Sequence, residues 1–463
     1  MDFLVKDKGF YKKLLAIAIP LALQNLINVA VGLLDTVMLG QLGEVAMSGS
    51  SLGNQIGFIY GIMNMGLTAG AGVLTSQYWG RKDPDSIRKV MSLAYKISMA
   101  LGIIFTVLGL TIPETLMSFY SEEATVIEAG AVYLRIIAFT YLISGFTMTS
   151  MSILRTVGTV KIALYMYIAS FFVNIFFNYA FIFGKFGFPA MGIAGAALAT
   201  VIARVVETVI IGVYVFKVDK KIQFRFKHFF LGVDRAIFAT YMKYGAPVLF
   251  NEMLWSLGST MLSVIMGHIG SNYVAANSIC MVIFQCTSMI NQGISQAAGV
   301  TAGNTIGEGK YKQARQQSLT IFALSILLGI FSSLVMFAIR TPVIGFYNVT
   351  PETQQIAFEI MDMMSILIIV QVIGTVNMFG TLRGGGDSKF VLFFDVSSMW
   401  FFSVPLGWLA GLVFDSPVWL IYLALRSGDI FKSVGAIFRI LSGKWIKDVT
   451  RTDEEIEAAK AEN

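Results

Sequence analysis

Charge is scarce in this chain: 13% of its 463 residues are Asp, Glu, Lys or Arg, against about 25% in an ordinary soluble domain. With 56% hydrophobic residues and a mean hydropathy of +0.71, the chain belongs in lipid rather than water. Cysteine and histidine are scarcer still, with two of each. Cys280 and Cys286 are six residues apart on one predicted helix, too far apart for a disulfide, so both are expected to be free, buried thiols. His228 and His268 have no cysteine or carboxylate at ligand spacing, which argues against a zinc-type centre. No nucleophile–base or paired-acid arrangement appears, so an enzyme is not expected. LRGGGDSK and GNTIGEGK both miss the phosphate-loop spacing. The formal charge of +6 needs no nucleic-acid partner, because membrane topology accounts for the basic residues. The sequon at Asn348 reads as a chance match.

What is present is a series of apolar stretches. Twelve helices are expected, near 12–39, 50–79, 89–112, 125–152, 160–184, 190–216, 236–266, 273–303, 315–340, 352–380, 388–412 and 417–440. Several exceed the roughly 20 residues that cross a hydrocarbon core, so tilt or bending is expected, above all at Pro20 and Pro247. The basic N-terminus is followed by an apolar run too long for a cleaved leader, and a retained first helix is expected. Most Lys and Arg fall on one side of this topology: the first lysines, Arg81, Lys82, Arg88, Lys89, the segment KVDKKIQFRFK, Arg383 and the C-terminal tail. The positive-inside rule then places both termini in the cytoplasm of a multi-pass cell-membrane protein.

The chain is also internally duplicated. Shifted by 227 residues, Pro20 meets Pro247, Gly40 meets Gly267, Asn64 meets Asn291 and Gly80 meets Gly307. LRTVGTVK matches LRGGGDSK, and Arg204 and Glu207 reappear as Arg426 and Asp429. Six helices per half keep the two repeats in the same orientation, an arrangement common in secondary transporters. The expected organisation is an N-lobe over 1–216, a charged linker over 217–235, a C-lobe over 236–441 and a tail over 442–463.

An ionisable group at mid-membrane is costly unless it is paired or hydrated. Arg204/Glu207 and Arg426/Asp429 have i,i+3 spacing and read as structural ion pairs. For Arg135, Asp362 and Asp395 structural pairing is favoured and the roles stay open. Asp35 has no basic residue within a helical turn and lies ~33 Å along its helix from Lys13. Asn174 and Asn178 are four apart on one helix face, with Asn178 ~26 Å from Lys161, and Thr200 lies at similar depth on the next helix. One carboxylate, two amides and a hydroxyl could hold Na⁺ or surround a protonatable acid; the alternative is a set of satisfied helix contacts. Glu252, ~14 Å beyond Lys243, is a second lone acid. The repeat puts Asn25 opposite Glu252 and Leu262 opposite Asp35, so the halves share a scaffold but not their acids.

In order and spacing, IPLALQNLINVAVGLLDTVMLGQLG, LRTVGTVK, NIFFNYAFIFG, GIAGAALAT, GAPVLFNE, NQGISQAAGVTAGNTIGEG and LRGGGDSK resemble the MATE (multidrug and toxic compound extrusion) family over nearly the whole chain. The resemblance implies an all-α membrane protein, with twelve transmembrane helices in two six-helix pseudo-symmetric lobes around a central cavity. It implies Na⁺- or H⁺-coupled antiport of organic, often cationic or amphiphilic, small molecules by alternating access, with no cofactor beyond the coupling ion. It places the cation site on Asp35, Asn174, Asn178 and Thr200, and a C-lobe acid for substrate or cation on Glu252. Two positions depart from the pattern. Asn178 stands where members often carry an acid, and Gln371-Val372 replaces an acid found in one branch before the LRG turn. A monomer in membrane lipid is expected. The alternative is a lipid-linked oligosaccharide flippase of the same superfamily, whose cavity would be cationic.

Overall fold

The structure, a computed structural model, describes residues 4–347, 349–414, 416–451 and 454–457; Asn348, the acceptor of the sequon, lies outside the described residues. The first half contains α1 (Lys8–Gly40), α2 (Glu44–Gly80), α3 (Pro84–Thr111), α4 (Pro113–Ser118), α5 (Ala124–Ile137), α6 (Phe139–Thr156), α7 (Lys161–Phe183) and α8 (Gly192–Val213). The second contains α9 (Arg235–Ile269), α10 (Ser271–Gly307), α11 (Tyr311–Phe346), α12 (Pro351–Thr375), α13 (Ser388–Ser397), α14 (Val404–Trp408), α15 (Val418–Leu425) and α16 (Ser427–Ser442).

Local chemistry sets the ends of these helices. Asp83 accepts from Ser86 N ahead of Pro84, and Thr350 accepts from Thr353 N ahead of Pro351. Both combine a side-chain cap with a proline where no helical N–H is needed. Gly184 closes α7 at φ +66°, a left-handed position that suits glycine.

Ten described helices are long and apolar enough to cross a membrane, and α5 and α6, bent by 49° at their break, are long and apolar enough together. The protein is an integral membrane protein. The segment expected near 417–440 is helical too, as α15 and α16, but it breaks at Arg426 and holds Asp429 and Lys432 inward. Those charges keep it from matching the other crossings in composition. Pro20 and Pro247 lie inside unbroken helices, each leaving the carbonyl four residues earlier without its helical donor. Cys280 is a buried free thiol as expected, but Cys286 is exposed.

The chain divides into two compact units. The N-terminal unit comprises 23–75 and 83–242; the C-terminal unit comprises the chain up to Ala22, 76–82 and everything from Lys243. The division thus differs from the expected lobes at both ends. Phe10, Leu14 and Ile17 of α1 are buried, and Val5 N donates to Thr320 Oγ1 in the C-terminal unit. Residues 217–235 pack within the N-terminal unit: Phe224 meets the Tyr95 ring, and Arg88 Nε donates to Ile222 O at 2.7 Å. The tail over 442–451 likewise packs within the C-terminal unit, where Trp445 is fully buried and Asp387 pairs with Arg439 and Lys447. Aromatic residues in both segments supply the apolar surface that the charged residues around them hide in the sequence.

The core of the N-terminal unit gathers Ile56, Tyr60, Leu134, Ile137 and Tyr141. Glycine lets α3 and α6 approach closely: a Cβ on Gly102 would sit 2.7 Å from Tyr141 O. The C-terminal core gathers Ile283, Ile321, Ile360, Met364 and Tyr422.

Candidate functional site

In the N-terminal unit, α7 presents Ser170, Asn174 and Asn178 at four-residue intervals, all buried. This spacing aligns their side chains along one helix face. Asn178 Nδ2 donates to Asp35 Oδ1 at 2.5 Å and to Asn174 Oδ1 at 3.0 Å. Asp35, Asn174 and Asn178 are therefore brought together. Thr200 is placed differently: its hydroxyl donates to Ala196 O, one turn back on α8, leaving only its lone pairs for a ligand.

The cluster includes residues that sequence reasoning left out. Tyr133 lies against Thr200 within electrostatic reach of Asp35, and its hydroxyl donates to Asn54 Oδ1 at 3.2 Å. One turn along α7, Ser170 donates to Glu207 Oε1 at 2.6 Å, and Arg204 Nη1 binds both Glu207 oxygens at 2.9 and 2.8 Å. The Arg204–Glu207 pair is thus the intrahelical bridge the spacing predicted. Arg204 is also within electrostatic reach of Asp35. A tyrosine and an asparagine on separate helices carry no signal in one sequence; only their spatial convergence reveals them.

A donor–acceptor count isolates one atom. Asn178 Oδ1 is buried with no hydrogen-bond partner, an arrangement that costs about 1–3 kcal/mol in a packed interior. The same amide gives both its hydrogens to oxygens. If the amide turns over, its oxygen joins those of Asp35 and Asn174, and three hard oxygens converge. Such oxygens suit a small hard cation, and a protonated Asp35 could instead donate to the freed amide oxygen.

In the C-terminal unit, Glu252 is not the lone acid that the sequence suggested. Arg383 Nη1 lies 2.9 Å from Glu252 Oε1, with the two side chains 12% and 13% exposed. Arg383 follows a π-helical turn, Val376–Leu382, and its guanidinium also lies over the Phe379 ring at 4.7 Å. The sequence placed Arg383 in a basic turn; its long side chain instead reaches inward across 131 residues of sequence separation. Arg426 and Asp429 are 3.8 Å apart, and Asp429 is closer, at 3.1 Å, to Lys432. The expected pair is therefore a triad. Arg135 pairs with Glu114, and Asp362 with Arg340.

The MatE family profile matches residues 20–180 and 247–409, once in each half. The chain is 25% identical to a probable multidrug resistance protein NorM of Thermotoga maritima, over 96% of this chain and 95% of that one. It is 24% identical to an uncharacterized transporter, YisQ, of Bacillus subtilis, over 90% and 91%. Among solved structures, a MATE protein in a bent conformation superposes with a TM-score of 0.84 at 18% identity, covering 99% of both chains. A multidrug resistance MATE family transporter in an outward-facing conformation gives 0.84 at 17% identity over the same share. The structural likenesses establish the fold. The profile, matching most of the chain once per repeat, establishes the lineage: this chain belongs to the MATE family of membrane transporters.

Proposed function

We propose that this protein is a cation-coupled antiporter that exports organic, often cationic or amphiphilic, compounds across the cell membrane by alternating access. Family membership and the multidrug-resistance names of relatives such as the NorM and MdtK proteins support the export of foreign compounds. Binding of a small cation at Asp35, Asn178 and Asn174 fits the unpartnered Asn178 oxygen, which carries this reading. Na⁺ would gain a charged oxygen and neutral amide oxygens there. A proton would instead neutralise Asp35 and reverse the amide's role. Either event removes a negative charge from a buried polar nest, and that differential interaction can bias α1 between two conformations. Thr200 and Tyr133 border the site. Glu252, paired with Arg383, serves the C-lobe as a charge held in place rather than an open acid. The protein acts without a cofactor, as a monomer, with both termini in the cytoplasm.

A flippase for lipid-linked sugars needs free cations at membrane depth. Arg204, Arg383, Arg426 and Lys432 each have a carboxylate partner, which favours the antiporter. The deciding experiment imposes Na⁺ and pH gradients separately on proteoliposomes and follows a fluorescent organic cation. Accumulation driven by one gradient is expected, and transport indifferent to both contradicts the reading.

A further inference from the structure

Two buried charges of the C-terminal unit, Asp395 on α13 and Lys432 on α16, have no part in the site above, and the half-buried Asp429 of α16 lies beside them. Asp395 is 1% exposed and Lys432 is 7% exposed. Asp395 Oδ2 accepts from Asn251 Nδ2 at 3.1 Å, and its Oδ1 lies 3.3 Å from Lys432 Nζ. The same ammonium is 3.1 Å from Asp429 Oδ1, and Asp429 has Arg426 as a further cation. One lysine is thus shared between two carboxylates on two helices. Asp429 is its own neighbour at i−3, so Lys432 can settle wholly on Asp429 while both helices stay in place. Asp395 would then be a buried carboxylate in need of a replacement cation.

Two further observations show what could replace it. Asn251 Oδ1 is buried without a partner, so turning this amide over puts an oxygen beside Asp395. The helix bearing Asp395 also passes directly into a π-helical turn, Ser398–Ser403, whose Ser398 hydroxyl donates to Asp395 O at 2.7 Å. Such turns inside helices collect at functional sites. The nearby charges are accounted for: Glu252, next to Asn251 on α9, holds Arg383, and Arg383 and Lys432 flank the Phe379 ring at 4.7 and 5.5 Å.

We propose that Asp395 and Asn251 form a second site for a small cation, Na⁺ or a proton, closed in this structure by the Lys432 ammonium acting as a tethered competitor. The N-terminal half lacks both parts of this device. In the repeat register, Tyr167 stands opposite Asp395 and Ile210 opposite Lys432. The proposal rests on the reading of the protein as cation-coupled.

The test uses the full chain in detergent carrying Asp35→Asn, which removes the carboxylate of the N-terminal unit. It reads radiolabelled sodium binding in one arm and proton uptake in unbuffered solution in the other. Adding Lys432→Gln should strengthen sodium binding or proton uptake at least about tenfold, because the binding-competent form is no longer depleted by the tether. Adding Asp395→Asn as well should abolish that gain, and Lys432→Arg, which keeps the charge, should produce none. Unchanged affinity in both arms for folded, monodisperse Lys432→Gln protein overturns the proposal, as does a gain that survives Asp395→Asn. If Lys432→Gln alone does not fold, the charge-balanced Lys432→Gln/Asp429→Asn variant is read the same way. Whether Asp35→Asn itself removes the ion bound by the native chain is a separate observation, so the N-terminal site and this one can fail independently.

Discussion

The two units each hold a carboxylate against a buried asparagine, and they differ in the nearest cation. Asp35 accepts from Asn178, and Asp395 accepts from Asn251; in both pairs the asparagine oxygen has no partner. Beside Asp35 the arginine is already occupied by Glu207. Beside Asp395 the lysine is a direct partner. The same carboxylate–amide geometry thus reads as an open site in one unit and a self-neutralised one in the other. Duplication supplied the helices and glycines, and the location of one ammonium separates the two chemistries.

Substitutions that set the two units apart should grade in effect. The largest belongs to Asp35→Asn, which should leave a folded protein whose gradient-driven efflux falls to the level of empty vesicles. Efflux at the native rate would remove the distinction between an open and a closed carboxylate. Next is Glu252→Gln, which strands Arg383 in a buried position. Removing one partner of such a pair costs about 3–5 kcal/mol, visible as a lowered melting temperature in detergent, and Glu252→Gln/Arg383→Gln should recover most of it. If the double variant melts no higher than the single one, the pair is more than a structural clamp.

Tyr133→Phe should be milder. Loss of the hydroxyl that donates to Asn54 should weaken ion binding in the N-terminal unit by about 1 kcal/mol, measured as a several-fold higher half-saturating ion concentration. Thr200→Val should be smallest, within about 0.5 kcal/mol, because the Thr200 hydroxyl is engaged by its own helix. A large loss of ion affinity in Thr200→Val would show that the hydroxyl turns toward Asp35 when the ion binds.

Much of the fold could be read along the chain because membrane helices follow composition. Hydropathy placed α7 within a residue at each end, whereas α3 begins at Pro84, five residues before its expected start, because its Asp83 cap and proline lie in a polar stretch that hydropathy passes over. The tail and the 217–235 segment were harder, since their anchoring aromatic residues, Trp445 and Phe224, are scattered among charges. Within the site, Asn174 and Asn178 could be identified from one sequence because their spacing is helical and local. Tyr133, Arg383 and Lys432 could not, because their contacts join helices far apart in sequence and side-chain reach is invisible to periodicity. The pairing of Asp395 with Asn251 spans 144 residues of sequence separation.

Counting the small cations bound per chain at saturation tests the asymmetry most directly, by titrating sodium and protons on wild type, Asp35→Asn and Lys432→Gln. One ion is expected for wild type, none for Asp35→Asn and two for Lys432→Gln. An unchanged count on losing Asp35, or on losing Lys432, would contradict the account of one open and one tethered site.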